Sequence, residues 1–328
     1  MTVGANRLAD TFARIGGLVV TPADAYILAD PDTHQIRRLP ASGAGQRIAG
    51  MADGSAGFNG AVTLATNTPL NQPHGVAYDA VAGDVYVCDT GNDRVRHLAG
   101  GTLNTRIGGG TDTGDTVTLA TDAQLSAPMG LARDAAGHLF FTERTTSRVR
   151  RYDAVTKRLT TLATGPGNGP IALDDANDVV WVAKGGVVTA ISNINGATAT
   201  LAIGATFQAQ AGTGAPQVTG LAYDGAGTLY VAQTTLPGTG GPVDARIYRV
   251  SVDTSGRATA APELIAGTGG QDASPGAYSV PTTDASGPLQ LLAGASWCGL
   301  TIGADGRLYA GNSYPGQWGQ VLRLAPAP

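Results

Sequence analysis

The chain has 328 residues, 48 of them glycine, with 42% hydrophobic and 14% charged residues and a formal net charge of -4. An acidic balance argues against a nucleic-acid partner held through its phosphates, which needs a clustered basic face. No apolar run approaches the roughly 20 residues of a membrane-spanning helix, so no membrane insertion is expected, and the composition reads as a soluble globular protein of short strands and tight turns.

In chain order, residues 1–17 show neither a basic start with an apolar core nor a small-residue cleavage site. No secretory signal is visible, which leaves the compartment open between virion, cytoplasm and a mature secreted fragment. Lys157 and Lys184 are the only lysines, a bias that fits a GC-rich bacterial or phage genome. Next comes a phrase that repeats with variations: PHGVAYDAVAGDVYVCDTGNDRVRHL at 73–98, PMGLARDAAGHLFFTERTTSRVRRY at 128–152, and TGLAYDGAGTLYVA at 219–232. Recurrence on this scale marks stacked units, each unable to bury its apolar face alone.

The small residues that open each phrase are Gly17, Gly75, Gly130, Pro170, Gly220 and Gly299, which makes six units. In the second unit Gly75 to Asp79 is a buried run and Asp84 to Cys88 alternates as a strand. Thr90-Gly91-Asn92-Asp93 is a tight turn, Arg94 to Leu98 alternates again, and residues 105–108 form a fourth strand. Four antiparallel strands per unit is a propeller blade, so the expected fold is all-β: a six-bladed β-propeller forming a single domain over 1–328. The last unit stops after a third strand at 320–324. Residues 11–16, which echo 46–50 and 105–108, are expected to supply its fourth strand and close the ring, because an open edge invites aggregation.

GDVYVCDTGNDRVRHL resembles the NHL repeat, and the connectors GFNGAVTLATNTPLNQPHGVAYD and GDTVTLATDAQLSAPMGLARD resemble those between blades of bacterial NHL proteins and teneurin-like propellers. Units four to six depart from the wording. Ala183-Lys184-Gly185-Gly186 stands where the Asp-Thr-Gly-Asn turn belongs in unit four, and unit five has an enlarged turn. The resemblance implies the fold but no single function, since such propellers serve as protein-binding, RNA-binding, adhesive and enzymatic platforms.

Long connectors and turns at 51–72, 108–127, 234–246 and 267–296 should emerge on one face, around the mouth of the central channel. The residues just before the innermost strands form a ring there: Gly16, His74, Met129, Gly169, Thr219 and Cys298. Propeller hydrolases and lyases resembling gluconolactonases hold a divalent cation near the axis on converging Glu, Asp, Asn or His. In this ring only His74 and Cys298 are candidate ligands, so no catalytic metal and no cofactor is expected. Asp53-Gly54-Ser55 and Asp112-Thr113-Gly114-Asp115 have the composition of calcium loops, yet Asp and Gly are also what tight turns require, and the turn is the simpler reading. His34, His97 and His138 lack mutual spacing and read as packed or solvated.

Tyr278, Trp297, Tyr314 and Trp318 cluster late in the chain. With His74 they make the candidate binding face, because exposed rings stack on sugars or anchor a protein partner; packing between blades is the competing reading for Trp297 and Trp318. Trp181 reads as inter-blade core. The pairs Arg37-Arg38, Arg94 with Arg96, and Arg148 with Arg150-Arg151 read as blade-to-blade ion pairs with Asp30, Asp89 and Glu143. Cys88 and Cys298 read as free thiols, too far apart in the ring to bridge. The leading expectation is a non-enzymatic propeller that docks protein within a larger assembly, such as a phage tail, appendage or cell-surface complex. A glycan- or receptor-binding propeller is the alternative, and a metal-dependent lactonase or lyase is the second alternative, against which the polar-poor ring argues.

Overall fold

The computed structural model describes residues 3–4, 13–40, 44–60, 63–196, 200–202, 216–235, 244–266, 296–313 and 320–324. Six antiparallel sheets follow one another along the chain. Blade one is built from Gly17–Val20, Tyr26–Asp30, Gln35–Leu39 and Gln46–Ala49. Blade two has Pro73–Tyr78, Val85–Asp89, Arg94–Ala99 and Thr102–Ile107, and blade three has Pro128–Arg133, Leu139–Glu143, Arg148–Tyr152 and Leu159–Thr164. Blades four, five and six start at Ile171–Asp174, Pro216–Tyr223 and Ser296–Ile302.

The ring closes as expected, through an N-terminal strand, but at a different place. Val3–Gly4 pairs with the last strand, Val3 opposite Leu324 and Gly4 opposite Arg323. The 11–16 stretch does not form that strand: its described part, from Ala13, leads into blade one, where the Ala13 and Arg14 N–H groups bond the Asp30 carboxylate. The Asp30 carboxylate takes these N–H groups in place of a strand neighbour.

The second strands of each blade explain why the phrase reads as a near-continuous apolar run. Val85 and Val87 pack toward blade one, while Tyr86 and Cys88 pack toward blade three. In blade four Val180 and Val182 face blade three, while Trp181 and Ala183 face blade five. Side chains alternate between two faces, and here both faces are buried. Trp181 is inter-blade core, fully buried, with its Nε1–H donating to the Gly256 carbonyl at 2.9 Å. Cys88 is buried and free.

The two similar connectors fold alike. Thr63–Leu64 and Thr116–Val117 pair with the outermost strands of blades two and three, giving each a fifth strand. A short 3-10 turn follows each, at Ala65–Asn67 and Ala120–Asp122, and Leu70 and Leu125 are buried beyond them. Each connector is thus fastened to the outer edge of its own blade before it crosses to the axis.

At the axis the inner strands approach so closely that glycine is required. A Cβ on Gly75 would lie 2.3 Å from the Met129 carbonyl oxygen. The channel that remains is a cavity of about 90 Å³, lined by residues such as Gly17, Gly75, Gly130, Leu131 and Ile171. It is too narrow for an organic ligand, so binding at the axis must occur at a mouth.

Candidate functional site at the channel mouth

The residues that enter the inner strands are pinned from two sides. Within a blade, the acid that ends the second strand accepts backbone N–H groups from that blade's own entrance. Asp30 takes those of Ala13 and Arg14, Asp89 takes that of Asn71 at 2.8 Å, and Glu143 takes that of Ser126 at 3.2 Å. Between blades, the last residue of a second-to-third-strand turn holds the next entrance. His34 Nδ1 accepts the Gln72 N–H at 3.0 Å, and Asp93 Oδ1 accepts the Ala127 N–H at 2.7 Å. Gln72 and Ala127 both sit in left-handed backbone, at φ of 48° and 51°. Non-glycine residues hold such a conformation only where the surroundings over-determine it.

The arginine–acid pairs are built within blades, not between them as the sequence suggested. Arg96 Nη1 donates to Asp89 Oδ2 at 3.1 Å with both side chains at most 1% exposed, and Arg150 Nη1 lies 3.9 Å from Glu143 Oε2. The partners of each pair are seven positions apart, so both fall on adjacent strands of one hairpin, in line with the same turn. Burial pushes the Asp89 and Glu143 carboxyls up, while their hydrogen bonds and arginines pull them back.

His74 occupies the ring and is 6% exposed. Its Nδ1 lies 2.9 Å from the Gln72 carbonyl oxygen, which can only accept, so Nδ1 carries the proton and Nε2 the lone pair. Burial, reinforced by the positive charges of Arg14 and Arg144, lowers its pKa to about 4. The imidazole is therefore neutral at physiological pH. Among the described residues Nε2 has no hydrogen-bond partner.

Arg14 and Arg144 were not singled out from the sequence. Arg14 stands before blade one, its Nε and Nη2 on Asp32 Oδ1 at 3.0 and 2.9 Å. Arg144 stands in the turn of blade three, and its N–H donates to the Ala127 carbonyl at 2.9 Å, beside Met129. A signal was present: in the aligned phrases Arg144 replaces Thr90, whose hydroxyl donates to the Pro128 carbonyl at 2.6 Å.

The candidate metal residues are not brought together. Asp53 accepts the N–H and hydroxyl of Ser55, bonds that hold its carboxyl below the usual range. Asp112 accepts the Gly114 N–H at 2.8 Å, and Asp115 faces Arg148 at 3.6 Å. Among the described residues no group of three or more His, Cys, Asp or Glu converges. The described donor set at the mouth does not fit a divalent cation, because its acids already serve backbone N–H groups and arginines.

The other histidines are engaged in packing. His97 Nε2 lies 2.8 Å from Asp84 and stacks on Tyr86, and His138 Nδ1 accepts the Ala154 N–H at 3.0 Å. Of the aromatic cluster, Trp297 lies on the first strand of blade six, opposite Asn312. Tyr278, Tyr314 and Trp318 lie outside the described residues. Among the described residues no helix is long and apolar enough to cross a membrane.

An antiparallel six-bladed ring carrying this repeat defines the class, and the family model of the NHL repeat matches residues 70–98, which span the second blade's entrance and first three strands. The chain is a six-bladed β-propeller that carries an NHL repeat in its second blade. Its fold is similar to that of a gluconolactonase from Xanthomonas campestris, at 15% identity over 97% of this chain and 88% of that one, with a TM-score of 0.60. It is also similar to a streptogramin B lyase, at 13% identity over 98% of each chain and a TM-score of 0.55, and to virginiamycin B lyase from Staphylococcus aureus, at 12% identity over 99% of each and a TM-score of 0.54. A form of the latter with a histidine replaced by alanine, solved with quinupristin, is catalytically inactive. No curated protein matches the chain. The expectation of a non-enzymatic docking propeller is overturned by these neighbours, which are enzymes of the six-bladed class.

Proposed function

We propose that this propeller is a lactone-opening enzyme, a lactonase or lyase, whose substrate sits at the channel mouth over His74. The observation that carries the reading is the state of His74: a buried neutral imidazole with Nδ1–H committed to Gln72 and the Nε2 lone pair left as a base. The fold neighbours named for lactonase and lyase chemistry support it.

Either reaction uses the same base. In hydrolysis Nε2 takes a proton from water, the hydroxyl adds to the ester carbonyl, the ring C–O bond breaks, and the alkoxide leaves as the alcohol after receiving the proton. In elimination Nε2 takes a C–H proton, a C=C bond forms, and the ring oxygen departs within a carboxylate. The Gln72 carbonyl stabilises the imidazolium that forms in both cases, because Nδ1–H points at it. The divalent cation of propeller lactonases is not fitted by the described donors, and no step here passes through one.

The test is a panel of ring substrates, gluconolactone and a cyclic streptogramin B among them, with products read by mass. Hydrolysis adds the mass of a water, whereas elimination leaves the mass unchanged. Ring opening by the wild type that is lost in His74→Ala is the expected outcome. No opening of any substrate, with or without added divalent cation, or full activity in His74→Ala, would sink the reading.

A further inference from the structure

Both routes of ring opening place new negative charge on oxygen beside His74, and the mouth needs a group to receive it. Arg144 is in position. Its backbone is tied to the Ala127 carbonyl at 2.9 Å, next to ring residue Met129. Its side chain is exposed, and among the described residues its guanidinium has no hydrogen-bond or ion-pair partner. Arg14, the other cation acting on His74, is already paired with Asp32. The nearby acids Asp30, Asp89, Asp93 and Glu143 are engaged by backbone N–H groups.

We propose that Arg144 is an anion-receiving residue of the mouth, which takes the carboxylate that ring opening releases, in the role a bound cation would otherwise fill. This rests on the lactone-opening reading. A guanidinium offers two parallel N–H donors to a carboxylate, a match that a lysine or a neutral side chain does not reproduce. The repeat supports the assignment: where blade two keeps a threonine bonded to the next entrance, blade three departs from the phrase and places an exposed cation in the same turn. The charge of Arg144 also disfavours protonated His74, so an anion seated on Arg144 strengthens the base beside it.

The experiment is an acetate titration of the full chain, followed by the NMR signals of the His74 ring, in wild type, Arg144→Met and Arg144→Lys. Because Arg144 is exposed, unchanged melting curves are expected for both variants. The wild type should show a saturable shift of His74 at millimolar acetate. Arg144→Met should weaken it by roughly tenfold or more, the loss of one charge-assisted pair, with Arg144→Lys between the two. No saturable shift, or equal affinity in all three, would overturn the assignment. Arg144-dependent acetate binding without opening of any lactone would remove the catalytic reading and keep the anion site. Lactone opening that survives with acetate binding independent of Arg144 would remove this inference alone.

Discussion

His34 accepts the backbone N–H of Gln72 at 3.0 Å across 38 positions of sequence, and so ties the turn of blade one to the entrance of blade two. The same peptide unit's neighbour, the Gln72 carbonyl, receives the Nδ1–H of His74. The orientation of the candidate base is thus set by a residue of another blade. Replacing His34 by Ala should cost about 1 kcal/mol of stability for the lost hydrogen bond. It should also lower turnover more than ground-state binding, since Gln72 would be freer to turn away. Urea unfolding and a split of kcat from KM check this, and unchanged kcat would show that Gln72 holds itself.

His74 should make the fold sensitive to acid. In the unfolded chain its pKa is near 6.5, and in the fold about 4. Between these values the unfolded state binds more protons, so stability falls as pH drops from about 6.5 to about 4, by about 3 kcal/mol in total. Asp89 and Glu143, raised by burial, act in the opposite sense. The difference between wild type and His74→Asn isolates the imidazole: the wild type should lose more stability toward pH 4. Parallel curves from urea unfolding at each pH would refute it.

The Asp89–Arg96 pair predicts a strong asymmetry. Asp89→Ala leaves a buried guanidinium uncompensated and frees the Asn71 N–H, at a cost of about 3–5 kcal/mol. Adding Arg96→Met should recover most of this, because the unpaired charge is removed. A double-mutant cycle in denaturant measures the coupling, and additive losses would mean the pair is not a unit.

Gly75 should be irreplaceable where Gly100 is not. A Cβ at Gly75 meets backbone 2.3 Å away, whereas nothing lies within 4 Å of one at Gly100. Gly75→Ala must push two inner strands apart and should cost about 3 kcal/mol or more, the upper end of overpacking, because the clash is with backbone. Gly100→Ala, at φ of 55°, should cost only about 1–2 kcal/mol of backbone strain. Melting curves of the two variants decide it, and equal losses would mean the axis is less tightly packed than the geometry shows.

The blade count, the strands of units two and three, and the core role of Trp181 were legible because they are written locally, in alternation, turn residues and a repeated phrase. The 320–324 strand fell where expected, and the second unit's turn ends with Asp93 at φ of 54°. Closure by an N-terminal strand was legible as a need, since an incomplete blade leaves an edge. Its position was not, because 13–16 and 3–4 differ in which partners lie across from them in space.

The site was legible only in part. The ring position of His74 followed from the repeat, yet its tautomer, its burial and its neighbours Arg14 and Arg144 did not. Those depend on which turn of one blade meets which entrance of the next, a meeting of segments dozens of residues apart. By itself the sequence determined a ring of six repeated β units, one of them an NHL repeat, because each unit's hydrogen bonding and two-faced burial are satisfied by its own strands and its neighbours. Only the tertiary structure decided what stands beside His74, because charge and hydrogen-bond partners act through space between blades, and no spacing along the chain records that distance.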